Sequence, residues 1–335
     1  MTSLKERPTG AWTPGAALRR AGRVEEFGVL AALAALIGVI GVFHPDFLYR
    51  DQLIDVVRQA SYIGVMACAM TFLLAMRELD LSVGSTYALS MIFAAILMRE
   101  GVSPWIAAGA GLAAGVALGA VNGALCNLIG IPSIIATLGT LSVFRGAALA
   151  LSDGRQVAGL PRTDSFFQVM GGDLLGIPTA IWCLVAVAAV LTVVLRATPF
   201  GYRVRAIGSN PDAARFSGIS IPRTRLQVLM LSGGLAAVGG VLTLGFFASG
   251  QPTVGQGYEL SAIAAAIIGG TPLRGGSGTV AGSVLGTLIL GAVATGLVYF
   301  AVPINWSLFA TGVVILLAVA LDGLLRRRRT ARAAT

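Results

Sequence analysis

The sequence predicts an all-α, polytopic membrane protein, a helical bundle of about ten transmembrane helices. Of its 335 residues, 56% are hydrophobic and only 12% are charged, and the mean hydropathy is +0.84. An ordinary soluble domain carries about 25% charged residues. A chain this apolar cannot hide its hydrophobic surface from water, so we expect lipid to be its main solvent.

The predicted spans are ten apolar runs, most of which approach the roughly 20 residues that cross a bilayer as a helix. They are 27–43, 60–76, 83–98, 104–123, 133–151, 178–195, 226–247, 259–270, 279–298 and 305–321. The 259–270 run is too short for a straight span, and we expect a broken or re-entrant helix covered by protein there. The chain then divides into an N-terminal tail (1–26), a transmembrane domain (27–322) containing the loop 196–225, and a basic C-terminal tail (323–335).

Basic residues predict the orientation of these spans. Most of the 24 basic residues lie in the two tails and in the loop 196–225, whereas the opposite side of the predicted membrane holds Arg50, Arg58, Arg99, Arg155 and Arg162. Positive charge concentrates in the cytoplasmic segments of membrane proteins. We therefore expect a multi-pass protein of a bacterial inner membrane with both termini in the cytoplasm. The net charge of +9 then indicates contact with membrane lipid rather than with nucleic acid.

The composition argues against a metal site, a nucleotide site and an enzyme active site. Cys68, Cys126, Cys183 and the single His44 fit no metal-ligand spacing. Lys5 is the only lysine, so the glycine-rich run 275–278 cannot be a Walker A loop. We expect this chain to bind no cofactor or metal itself, and to be no enzyme, because no nucleophile or metal ligand accompanies its carboxylates.

A polar segment separates the second predicted span from the third. The segment Arg77-Glu78-Leu79-Asp80-Leu81-Ser82-Val83-Gly84-Ser85 places two carboxylates between apolar runs. A charged group at the centre of a bilayer costs about 2.5–3.5 kcal/mol or more, so such groups mark transport pathways or buried structural pairs. An equally supported alternative is an interfacial loop in which Ser82 caps the third span. The candidates for a translocation path or gate are Glu78, Asp80, Ser82, Asn122, Asn127 and Glu259.

A short helix is predicted inside the loop 196–225. Asn210 can cap it, Pro211 fits its first position, and Gly218 suits its end. The flanking arginines allow a helix on anionic lipid, but the small apolar face favours a protein partner. The residues of this segment are Asn210, Pro211, Asp212, Ala213, Ala214, Arg215, Phe216, Ser217 and Gly218.

The same segment carries a resemblance to a known family. Asp212-Ala213-Ala214, followed after three residues by Gly218, resembles the EAA-x-x-x-G coupling motif of ATP-binding-cassette importer permeases, with Ile219-Ser220-Ile221-Pro222 following at once. Three further stretches, 79–85, 130–140 and 257–265, resemble the ribose/xylose-type branch of these permeases, and the autoinducer-uptake permeases are also similar. That branch commonly has two glycines where this chain has Arg77-Glu78.

The resemblance implies a complex of two permease chains, identical or different, with cytoplasmic ATPase subunits that hydrolyse ATP and an external, periplasmic solute-binding protein. This chain would form half of the translocation pathway for a small sugar or sugar-like solute. Residues 210–218 would then contact the ATPase subunit. The residues alone leave another class open, a secondary transporter driven by an ion gradient, because buried carboxylates also suit ion coupling.

Overall fold

The computed structural model describes residues 14–303 and, beyond them, residues 306, 309–310, 312–313 and 316, with side chains from residue 27 onwards. The described part is a helical bundle, and a two-stranded hairpin is its one sheet. Its elements are α1 (Pro14–Phe43), a 3-10 turn (Pro45–Leu48), α2 (Arg50–Ala75), α3 (Val83–Arg99), α4 (Pro104–Ile129), α5 (Ser133–Leu151), α6 (Ser165–Met170), β1 (Asp173–Leu174), β2 (Ile177–Pro178), α7 (Thr179–Ala197), α8 (Pro199–Ser209), α9 (Pro211–Phe216), α10 (Ile221–Phe247), α11 (Tyr258–Ile268) and α12 (Val280–Tyr299).

Helices α2 and α10 form the centre of the bundle. In each of them, 78% of the most apolar window is buried, against 28% for α5 and 22% for α7. No charged residue lies between Arg58 and Arg77, and the end of α2 from Val65 to Ala75 is buried throughout. The outer helices leave their apolar faces exposed, which is the arrangement expected where lipid replaces water.

Glycines set the spacing between α4 and its neighbours α3 and α10. Four glycines recur every fourth residue along α4, and each faces a neighbouring helix at a distance that leaves no room for a Cβ atom. A Cβ atom at Gly119 would overlap the carbonyl oxygen of Leu229, and one at Gly111 would lie 2.9 Å from the carbonyl oxygen of Ser90. Small residues at this spacing allow close helix contact within a membrane. The other two glycines of the stripe are Gly115 and Gly123.

Six of the described helices are long and apolar enough to cross a membrane: α2, α4, α5, α7, α10 and α12. Three shorter apolar helices cover the predicted spans at Phe27–Phe43, Val83–Arg99 and Tyr258–Ile268. The predicted span 305–321 lies largely outside the described residues. The all-α membrane fold is therefore confirmed, whereas the count of about ten spans stays a prediction.

Two irregular connections meet inside the bundle. Residues 76–82 join α2 to α3, and residues 248–257 join α10 to the eleven-residue helix α11. A Cβ atom at Gly255 would lie 2.7 Å from the carbonyl oxygen of Gly84, and the rings of Tyr87 and Tyr258 are 5.5 Å apart. The starts of α3 and α11 are therefore neighbours, which places the polar residues of both connections in one region.

Candidate functional site

Asp80 is buried in the connection between α2 and α3, with 1% of its surface exposed. Its Oδ1 accepts hydrogen bonds from the backbone N of Ser82 at 2.9 Å and from the Ser82 Oγ at 2.7 Å. Its Oδ2 accepts a hydrogen bond from the Ser232 Oγ of α10 at 2.7 Å. Both carboxylate oxygens therefore have protein donors, as a buried charge requires.

Asn122 extends this network to two further helices. Its Nδ2 donates to the Ser82 Oγ at 2.8 Å, and its Oδ1 accepts from the Thr140 Oγ1 of α5 at 2.7 Å. Asp80, Ser82, Asn122, Thr140 and Ser232 form what we call the Asp80 cluster. It joins the 76–82 connection to α4, α5 and α10. In this conformation Asp80 is closed to solvent, so a solute hydroxyl could reach it only after the surrounding helices moved.

Ser82 stands at the N-cap position of α3, but its side chain makes no cap hydrogen bond. Its hydroxyl donates to Asp80 instead, so Ser82 occupies the predicted cap position without supplying the cap hydrogen bond. The backbone on either side of Asp80 is satisfied by hydroxyls of α5. Leu79 N donates to the Ser133 Oγ at 3.1 Å, and Leu81 N donates to the Thr137 Oγ1 at 3.0 Å.

These contacts explain the polar residues of the sequence run 130–140, whose role the sequence alone did not reveal. Ser133, Thr137 and Thr140 follow one another at helical intervals of four and three, so they share one face of α5. That face holds the 79–82 segment and the Asp80 cluster. The spacing of the three hydroxyls was the signal that could have identified them.

Glu78 and Asn127 lie away from the cluster, at the start of α10. The Oε1 of Glu78 is 2.6 Å from the Nε of Arg225, and both side chains are mostly buried. Asn127 Nδ2 donates to the carbonyl oxygen of Pro222 at 2.8 Å. These two predicted site residues therefore lie near the chain that connects α9 to α10.

Glu259 lies on the other side of the start of α3. It stands in the first turn of α11, where its Oε1 accepts a hydrogen bond from Gly257 N at 3.2 Å. A Cβ atom at Gly84 would lie 2.5 Å from the Glu259 Oε2. Nearby, Arg145 of α5 donates to the carbonyl oxygens of Pro252 at 2.6 Å and Val254 at 2.9 Å. The guanidinium of Arg145 thus holds the 248–257 connection close to Glu259.

The predicted short helix is α9. The Asn210 Oδ1 accepts from the backbone N of Asp212 and of Ala213, both at 3.1 Å, and Pro211 is the first helical residue. Gly218 has φ +80°, the left-handed conformation that glycine favours at a helix end. The helix occupies six residues, Pro211–Phe216, and an additional helix, α8, precedes it where the sequence predicted only a basic loop.

Ala214 and Phe216 of α9 differ sharply in burial. Ala214 is buried against the protein with 4% of its surface exposed, whereas Phe216 is 92% exposed. With so little of its surface covered, the Phe216 ring gains little stabilisation from the described part of the chain. The surface that α9 offers to a partner is therefore formed around Phe216 and not around Ala214.

A multi-pass bundle with a buried polar cluster on irregular connections is typical of membrane transport permeases, in which irregular backbone lines a path through the membrane. Comparison with protein families agrees. A family model described as "branched-chain amino acid transport system / permease component" matches residues 52–319, and this chain belongs to that family. The family is one of transport permeases and not of enzymes.

Several characterised relatives cover nearly the whole chain. The ribose import permease protein of Bacillus subtilis is 39% identical over 302 residues, which are 90% of this chain and 94% of the relative. The ribose import permease protein of Haemophilus influenzae is 34% identical, covering 89% and 93%. The L-arabinose transport system permease protein of Escherichia coli is 35% identical, covering 90% and 92%. No solved structure matches this chain.

Proposed function

We propose that this chain is the membrane subunit of an ATP-driven importer for a small sugar or sugar-like solute, and that it forms half of the translocation pathway. The observation that carries the proposal is α9, a short, capped helix that presents an almost fully exposed phenylalanine. Isolated helices of this length are marginal in water, so a partner surface that packs on Phe216 would stabilise it.

The partner that fits this helix is a cytoplasmic ATPase subunit of the ATP-binding-cassette type. The coupling motif of importer permeases matches α9 and Gly218 residue by residue, except that Asp212 replaces its glutamate. ATP binding and hydrolysis would take place in the partner, and the movement would reach this chain through α9. A second permease chain would complete the pathway, and an external solute-binding protein would deliver the solute.

The solute is proposed to be a sugar because of the relatives. The family description mentions branched-chain amino acids, but the relatives that cover about 90% of this chain carry the names of ribose and L-arabinose permeases. The names "import permease" and "permease component" also indicate subunits of multi-component systems. They favour an ATP-driven importer over a transporter that works alone on an ion gradient.

The proposal is tested by replacing the exposed ring of Phe216 with a charged side chain. We expect Phe216→Asp to leave the chain folded, because the side chain touches nothing that a carboxylate would disturb. Uptake of ribose or arabinose in cells should fall by at least about tenfold, and the ATPase subunit should no longer co-purify, because a buried interface would have to desolvate the new charge.

Leu175→Asp is the matched control, since Leu175 is also a large apolar residue, 86% exposed, and its positive φ suits aspartate. The control should retain the ATPase subunit. Full uptake and normal co-purification with Phe216→Asp would contradict the proposal. Uptake that stops when ion gradients are collapsed at constant ATP would favour the secondary transporter.

A further inference from the structure

Two adjacent residues at the end of α2 hold both ends of the chain segment that contains α9. Arg77 Nη2 donates a hydrogen bond to the carbonyl oxygen of Ser209 at 2.9 Å, and Ser209 immediately precedes the Asn210 cap. Glu78 forms the 2.6 Å ion pair with Arg225, which lies in the second turn of α10. Arg77 and Glu78 therefore contact the chain on both sides of α9. We call this pair of residues the Arg77–Glu78 clamp.

The backbone conformation of Arg77 indicates that its hydrogen bond to Ser209 is functional. Its φ is +65°, a left-handed conformation that glycine adopts easily and arginine adopts rarely. Glycine at this position would relieve the strain but could not reach Ser209. A strained conformation persists only where its surroundings hold it, and such residues concentrate at functional sites.

The end of α2 is packed against α8 with no side chain between the two backbones. A Cβ atom at Gly208 would overlap the carbonyl oxygen of Ala75, and Gly276 N donates to that same oxygen at 2.8 Å. A Cβ atom at Gly275 would lie 2.5 Å from the Arg77 Cγ. Densely packed interiors have low compressibility and transmit displacement. A shift of α8 and α9 must therefore move the end of α2 and the clamp.

The clamp continues directly into the Asp80 cluster. Only Leu79 separates Glu78 from Asp80, and both acidic side chains contact the same face of α10, at Arg225 and Ser232. These two partners are seven residues apart, which brings them to one side of a helix. The 77–80 segment thus connects the contacts of α9 with the buried cluster where α3, α4, α5 and α10 meet.

We infer that the Arg77–Glu78 clamp is the positioning element that transmits a displacement of α9 to the Asp80 cluster, and so links the partner's movement to the transport path. The inference rests on the proposed function of α9 as the site where the driving subunit binds. Within the clamp, Glu78 is buried, whereas Arg77 is exposed. The clamp acts through Arg225 and Ser209.

Exchanging the charges of the ion pair tests the inference in the reconstituted complex with its ATPase and solute-binding subunits. We expect Glu78→Arg to retain the ATPase subunit but to lower the amount of solute transported per ATP hydrolysed by about tenfold, the size of one strong pairwise coupling. The exchange variant Glu78→Arg with Arg225→Glu should restore most of that ratio, since the opposite charges face each other again.

The matched control combines Glu78→Arg with Arg223→Glu, which has the same net charge but places the new carboxylate on the exposed Arg223 position. It should not restore the ratio. A purely structural role would lower protein yield and uptake together while the ratio of solute to ATP stayed constant, and that result would overturn the inference. Equal rescue by the control would overturn it as well.

Amide hydrogen exchange of the purified permease alone separates this inference from the proposed function. Glu78→Gln should raise the amide exchange rate of residues 210–219 by about tenfold. Loss of the ion pair with Arg225 makes local opening of this segment easier. Unchanged exchange in that segment would show that the clamp does not hold α9. If the unmodified chain binds no ATPase subunit, the proposed function fails, whereas the exchange measurement still decides whether the clamp positions α9.

Discussion

Gly115 of α4 and Gly233 of α10 face each other across an interface with only backbone between them. A Cβ atom built at Gly115 would lie 2.5 Å from the carbonyl oxygen of Gly233, and one built at Gly233 would overlap the carbonyl oxygen of Gly115. The contact is therefore reciprocal. Because α10 also carries Ser232 and Arg225, this close approach fixes the position of the residues that hold Asp80 and Glu78.

The first prediction concerns this interface. Gly115→Leu should destabilise the protein by about 1–3 kcal/mol or more, because overpacking a close contact forces backbone shifts. Gly109→Leu is the matched control, since Gly109 lies on the same helix and a Cβ atom there would meet nothing within 4 Å. Thermal unfolding in detergent measures both variants. Equal loss of stability at the two positions would show that α4 does not approach α10 as closely as described.

The second prediction concerns Asn122. Asn122→Leu keeps the branched outline of the side chain but leaves the hydroxyls of Ser82 and Thr140 without their amide partner, which should lower stability by about 1–3 kcal/mol. Asn127→Leu, five residues further along α4, removes one contact with Pro222 at the helix end and should have a smaller effect. Thermal unfolding of the purified protein distinguishes them. The reverse order would mean that Asn122 does not join α4 to the Asp80 cluster.

Short-range signals made part of this molecule predictable. The cap at Asn210, the first-turn Pro211 and the stop at Gly218 all follow from residue preferences within a few positions, and the structure has each of them. The glycine stripe of α4 is a similar case, since its spacing of four indicates one packed face. Hydropathy likewise located the helices, because burial in lipid requires long apolar runs.

Contacts between distant positions and the ends of the helices were not predictable in the same way. Glu78 and Arg225 are 147 positions apart, and no local pattern pairs them. Helix α2 begins at Arg50, ten residues before the predicted span, and its first turns carry polar residues such as Asp55 and Arg58, which form an ion pair at 2.8 Å. Hydropathy detects the apolar part of a helix and misses such extensions.

The third prediction concerns orientation. With both termini in the cytoplasm, a cysteine at the exposed Arg155 position should react with a membrane-impermeant thiol reagent in intact cells, whereas one at the exposed Asp212 position should react only after permeabilisation. A cysteine at Asp164 would be less suitable, because the Asp164 carboxylate caps α6 at Phe166 N. If Asp212→Cys reacted in intact cells and Arg155→Cys only after permeabilisation, the bundle would have the opposite orientation in the membrane.

The last prediction concerns Arg145, whose guanidinium holds the 248–257 connection. It donates to the carbonyl oxygens of Pro252 and Val254, and more distantly to that of Gly84 at 3.2 Å. Arg145→Gln should free the connection and lower the unfolding temperature, because hydrogen bonds to a charged group contribute about 1.5–3 kcal/mol and the carbonyls lose their donors. Arg145→Lys should recover only part of the loss, since a compact ammonium cannot reproduce the planar fork of donors.

Arg162→Gln is the control for this experiment, because Arg162 is exposed and reaches one carbonyl oxygen, that of Phe247, at 3.5 Å. It should leave the unfolding temperature nearly unchanged. The connection itself can be monitored with a cysteine at the half-buried Val254 position, whose reaction with a thiol reagent should become several-fold faster in Arg145→Gln, because local opening exposes it. A reaction rate that does not change would show that Arg145 is not what holds the start of α11 beside the start of α3.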